Sequence, residues 1–171
     1  MIFAKQIRYG LEQQVYAMQE ALEAKLSWNG TINIYGLLFK NAINDNYILE
    51  AWTGADRLGR EYTQVFNQDK TTAQIGFIEV SRNPALKNAI VDIICTIDLE
   101  KAYNNNIRDN ERAYLEFNHI ISNINKVTGF ERGINNVFSG FRIDNIKYLD
   151  IQPYDAFRYR VEMVYNNSIC K

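Results

Sequence analysis

The sequence predicts an α+β fold: a mainly antiparallel β-sheet packed against two α-helices, with a long projecting loop or β-arm. Three observations carry this expectation. Phe157 to Tyr165, F-R-Y-R-V-E-M-V-Y, sets a large apolar or aromatic side chain at every second position, the period of a strand buried on one face. Two other segments, Ile7 to Leu26 and Asp109 to Thr128, repeat apolar residues at three- and four-residue steps, the period of helices buried along one stripe. No internal repeat, low-complexity tract or linker separates these segments, so all 171 residues read as one domain with one main core.

The first helix carries its stripe on Ile7, Leu11, Val15, Met18, Leu22 and Leu26, and Gly10 weakens its opening turn by about 1 kcal/mol relative to Ala. Ser27-Trp28-Asn29-Gly30 ends it as turn material. Thr31 to Phe39 and Tyr47 to Trp52 then read as two strands of a hairpin around a polar Asn/Asp cluster. The polar stretch Thr53 to Thr72 holds Gly54 and Gly59 and a brief Y-T-Q-V-F, and is long for a mere connection. It reads as an arm. Its tip residues Arg57 and Arg60 and its apolar end, Tyr62, Val65 and Phe66, suit a segment that a neighbouring subunit covers, since a lone loop leaves such side chains in water.

Ala73 to Val80 rejoins the sheet, and after Asn83-Pro84 the run Asn88 to Leu99 forms a strand with Asp92, Thr96 and Asp98 on one face. Asp109 is placed as the N-cap of the second helix, with Glu111 in its first turn and Gly129 as its C-cap. Phe141 to Leu149 and Phe157 to Tyr165 supply the last two strands, joined through Gln152-Pro153-Tyr154-Asp155.

Composition excludes several functions. Hydrophobic residues at 47%, charged residues at 23% and aromatics at 13% describe an ordinary folded domain. A net charge of -1 leaves no basic field for gripping many phosphates. No apolar run is long enough to span a membrane, and Lys5, Arg8 and Glu12 interrupt the stretch a signal peptide needs, so the chain reads as soluble and unsecreted. Cys95 lies inside an apolar run and reads as a buried thiol, with Cys170 a loose tail thiol that shares no metal or redox spacing with it.

Catalytic machinery is equally thin. The single histidine, His119, falls on the polar side of the second helix and reads as a surface residue, which removes the base that a Ser or Cys nucleophile requires. Asp92, Asp98, Asp109, Glu111 and Asp144 are the acidic candidates for a metal-dependent site. Asp92 and Asp98 stand six residues apart, roughly 20 Å along a strand, too far to share an ion, so they read as a solvated strand face. G-A-D-R-L-G-R-E, Gly54 to Glu61, lacks the G-K-[ST] ending of a phosphate loop. No cofactor is expected.

The order of elements, with N-A-I-V-D-I-I-C-T-I-D-L, R-A-Y-L-E-F-N-H-I-I-S-N-I and the closing F-R-Y-R-V-E-M-V-Y, resembles the tail-terminator and neck proteins of tailed bacteriophages. The frequency of Asn and Ile suits a phage of an AT-rich host, and among such phages the pattern is similar to ring proteins of the crAss-like phages of gut bacteria. The resemblance implies a structural virion protein without enzymatic activity. It implies a homo-oligomeric ring on the order of six or twelve copies, contacts with other neck, portal or tail proteins, and a channel through which DNA passes without tight binding. Arg158, Arg160 and Glu162, on the strand face away from the helices, join the arm as candidate subunit contacts. Two other readings stay open: a small α+β ligand- or protein-binding module, and a metal-dependent enzyme built on acidic residues.

Overall fold

The computed structural model describes residues 1–43, 46–55, 58–67, 71–104, 109–142 and 153–166. Its elements run α1 (Leu11–Lys25), β1 (Ile32–Leu37), β2 (Phe39–Ile43), β3 (Asn46–Trp52), β4 (Tyr62–Gln64), β5 (Ala73–Asn83), β6 (Asn88–Asp98), α2 (Leu99–Tyr103), α3 (Asn110–Ser122), β7 (Lys126–Arg132), α4 (Ile134–Val137) and β8 (Tyr154–Val164). The main sheet has the order β1-β5-β6-β8-β7, and a second sheet the order β2-β3-β4. The protein is α+β, as its periodicities predict. Between these strands β1 and β5 pair in parallel, and the other strand pairings among the described residues are antiparallel.

Alternation along β8 decides which residues meet the helices. Phe157, Val161 and Met163 are fully buried, and Tyr159 nearly so, in a core they share with Ile75, Phe77, Val91, Ile93 and Cys95. Leu11, Val15, Met18 and Leu22 of α1 and Tyr114, Phe117, Ile120 and Ile121 of α3 close this core from above. Each fully buried side chain of this size contributes about 1.5–3 kcal/mol from its apolar area alone. Rings fix the α3 register: Phe117 meets Phe157 edge-to-face at 5.2 Å and stacks on Tyr159 at 5.9 Å.

The opposite face of the sheet is half covered. Ile78, Ile94 and Ala156 point down into a second core with Tyr35, Leu38, Leu49, Ala51, Val65, Phe66, Ile134, Val137 and Phe138. The small sheet and α4 therefore form a third layer beneath the main sheet.

Several expectations need correction. The first helix begins at Leu11 and not at Ile7, because Gly10 adopts φ 55 and turns the chain, leaving Ile7 exposed. Thr31 to Phe39 is not the partner of Tyr47 to Trp52. It splits at Leu38 into β1, which joins the main sheet beside β5, and β2, which pairs with β3. The second helix stops at Ser122, and Gly129 lies inside β7 where the ladder to β8 shifts register. The stretch 53–72 is no free arm along its described length, since β4 pairs with β3 and leads straight into the second core. Of Phe141 to Leu149, Phe141 makes a parallel bridge to Tyr47 and the residues from 143 onward lie outside the described residues.

Candidate functional site

Chemistry-bearing side chains gather on the uncovered half of the main sheet's outer face and in a cleft beside the start of α1. On the outer face, β6 and β8 pair so that Asp92 stands directly opposite Arg160. Arg160 donates through Nε to Asp92 Oδ1 at 2.7 Å and through Nη2 to Oδ2 at 2.9 Å, a bidentate fork. This bond holds the guanidinium pKa above the ordinary arginine value against the opposing effect of burial. Arg158 lies 3.5 Å from the same carboxylate, donates to Glu131 Oε2 on the neighbouring β7, and reaches the Val137 carbonyl of α4. Glu162 accepts from Asn88 Nδ2 at 3.1 Å.

Both arginines of this strip are paired within the subunit. Two guanidinium groups meet two carboxylates, and the side chains of Asp92 and Arg158 are only 4% and 16% exposed. Asp92 is thus not on a solvated face as its strand position suggested; it is a buried charge that needs both arginines. Arg158 knits β6, β7, β8 and α4 together within the subunit. Arg160, at 44%, keeps its outer half in solvent beside Glu162. Around them Val80 and Val164 stand exposed at 46% and 64%.

Two of the remaining acidic candidates, Asp98 and Asp109, also serve the fold. Asp98 accepts from the Lys101 N–H and caps α2, with Lys101 Nζ 3.1 Å away. Asp109 caps α3 through the Arg112 N–H at 3.0 Å. Glu111 is exposed beside Arg132, and Asp144 lies outside the described residues. Among the described residues, no three His, Cys, Asp or Glu side chains gather as a metal would require. His119 is exposed, and Cys95 is fully buried with its thiol pushed well up by that burial.

The predicted arm contacts separate. Val65 and Phe66 are buried in the subunit's own second core, where Phe66 packs edge-to-face on Phe138 at 5.4 Å. Phe66 takes φ 62, unusual for a side-chain-bearing residue, and the Gln74 side chain accepts its N–H at 2.8 Å to hold it there. A neighbour is not what covers them. Tyr62 is half-buried and meets Phe39 edge-to-face at 4.9 Å. Arg60 is exposed, and Arg57 lies outside the described residues.

The cleft had no counterpart in the sequence reading, where Lys5 and Arg8 served only to break a leader. It opens between the N-terminal segment, α1 and the start of β2, with Lys5, Arg8 and Glu12 at the rim and Val15, Leu37 and Trp52 among its walls. Lys5 Nζ sits 3.3 Å from Glu12 and 5.9 Å from the ring centres of both Phe39 and Tyr62. Burial disfavours the Lys5 ammonium, but hydrogen bonds to Tyr62 and Glu12 outweigh it and raise its pKa. Arg8 lies flat on the Tyr16 ring at 3.6 Å.

No protein-family model, curated protein or solved structure matches the chain. No helix among the described residues is long and apolar enough to cross a membrane.

Proposed function

We propose that this protein is a structural, non-catalytic virion subunit that forms a ring in the neck or tail of a tailed phage, as a tail terminator or head-to-tail connector. The genome passes through the ring without being held tightly. The observation that carries the reading is the uncovered half of the main sheet's outer face. Its two arginines are paired with carboxylates of the same subunit, and Val80 and Val164 on the same sheet stand exposed. A surface of mixed charge that is partly apolar and built on a sheet suits repeated contact between identical subunits. The outer edge of β7, which pairs with no strand among the described residues, extends the same surface. Portal, neck or tail proteins are the partners this reading names.

Light scattering combined with negative-stain imaging tests it. Closed rings, formed by the protein alone or after mixing with portal and neck proteins of the same phage, are the expected result. A protein that stays monomeric and associates with none of them overturns the reading.

The cleft favours a second reading, a small ligand- or protein-binding module. Cofactor-independent binding there, in a protein that never assembles, is the outcome that selects it.

A further inference from the structure

β7 ends the main sheet, and among the described residues no strand pairs with its outer edge. The Gly133 N–H donates to the Ala156 carbonyl at 2.9 Å and Thr128 Oγ1 to the Arg160 carbonyl at 3.2 Å, so the even-numbered residues of β8 turn their backbone groups toward β7. Their partners Lys126, Gly129 and Glu131 therefore exchange bonds with β8. Backbone direction alternates along a strand, so Val127, Phe130 and Arg132 aim their N–H and C=O groups at the open edge.

The bulge between Val127 and Gly129 decides what can fill that edge. Five residues apart, Lys126 and Glu131 belong on opposite faces of a regular strand; with Thr128 as the extra residue, they share the outer face, opposite Glu162 and Arg158. Val127 and Phe130 likewise share the core face, opposite Val161 and Tyr159. A bulge spoils an edge for a regular strand, but a second copy brings the same bulge. Strands running antiparallel about a two-fold axis between Thr128 and Gly129 set Val127 opposite Phe130 and Lys126 opposite Glu131, each pair on one face. Sliding by one residue sets Val127 against Glu131 or Lys126 against Phe130, which lie on opposite faces.

The side chains in this register are complementary and open. Lys126 is exposed and makes no ion pair among the described residues. Glu131 accepts from Arg158, yet its side chain is 49% exposed. Phe130 packs on Tyr114 and Tyr159 at 5.1 and 4.7 Å but leaves 43% of its surface in water.

We propose that the β7 edge pairs antiparallel with β7 of a second copy in this register, joining two five-stranded sheets into one. Both apolar pairs then cover Phe130, and both charge pairs lie at the ends of the contact. A two-fold contact joins subunits in pairs and does not by itself close a ring, so it stands apart from the ring reading.

Sedimentation velocity on a dilution series of the full-length protein, at low and high salt, tests it. A monomer–dimer equilibrium that weakens as salt rises is expected. Lys126→Glu and Glu131→Lys, each alone, weaken it at least about tenfold, since each sets like charges opposite at both ends. An equimolar mixture of the two variants associates as the unaltered protein does, because every charge again meets its opposite. Should Glu131→Lys fail to fold for want of its bond to Arg158, hydrogen exchange on the unaltered protein decides: the Val127 and Phe130 amides slow as concentration rises. A protein monomeric throughout, edge amides whose exchange ignores concentration, or association that Lys126→Glu leaves unchanged overturns the proposal. Rings formed while those amides exchange freely overturn it and keep the ring reading; dimers that never form rings do the reverse.

Discussion

Asp92 ties β6 to β8 across the outer face of the main sheet. Its carboxylate is buried, and it accepts a bidentate bond from Arg160 while facing Arg158. Removing its charge takes the carboxylate from Arg160, which retains access to water, and leaves Arg158 with the carboxylate of Glu131 alone. Asp92→Asn is accordingly expected to cost about 1–3 kcal/mol, seen as a lower urea midpoint at unchanged slope. The tyrosines set a second expectation. Burial raises Tyr103, Tyr114 and Tyr159 to about 12, helped at Tyr103 by Glu116, at Tyr114 by Asp155 and at Tyr159 by Glu111. An unfolded tyrosine titrates near 10, so the folded state holds more protons between those values. Their stabilising contribution is complete below about pH 10 and is lost as pH rises through about 12. Urea midpoints should fall steeply across that window, and Tyr159→Phe should make the fall shallower, since it removes one of the titrating groups.

Elements are held by a few side chains that cross between them. Gln19 ties α1 to the N-terminal segment and to β1 at once, which neither helix propensity nor strand period announces. Gln19→Leu keeps the bulk and removes the amide; hydrogen exchange at the Phe3 amide should accelerate while the β6 amides stay protected. Legible in the sequence were β3 and the elements whose period runs long: β8, β6, β5, α3 and the body of α1. Those that were not are short or misleading. β7 spans K-V-T-G-F-E-R, and its Gly129 imitates the end of a helix while a bulge disturbs its alternation. β1 and β2 are divided by Leu38 alone, with no turn residue to mark where the chain changes sheets. Periodicity reports which residues share a face and says nothing of which strand lies alongside, so the parallel neighbour of β1 was out of reach. The cleft was out of reach for the same reason: its rim and walls come from the N-terminal segment, α1, β1, β2 and β3.

At the scale of the whole molecule, the sheet is a shared partition between two cores. Helices seal one side, and the small sheet with α4 seals half of the other. Contacts inside this partition should govern stability, and contacts on its bare half should govern assembly. Phe66→Ala empties the second core and is expected to lower stability by about 3–5 kcal/mol without altering oligomeric state. Val164→Asp, on the exposed half, should leave the melting temperature near that of the unaltered protein and abolish ring formation in light scattering. The opposite pattern would place Phe66 at the interface after all.

The strand order also bears on how the chain is made. β8 follows β7 in the chain yet lies between it and β6. While a ribosome is still short of residue 154, β6 carries a bare hydrogen-bonding edge beside Ile93, Ile94 and Cys95, and β7 has no sheet to join. A nascent chain in that condition offers an adhesive margin to its neighbours on the same message. Emergence of Y-D-A-F-R-Y-R-V-E-M-V ends the exposure, for that one segment slides in as the slat between β6 and β7 and brings both to rest together.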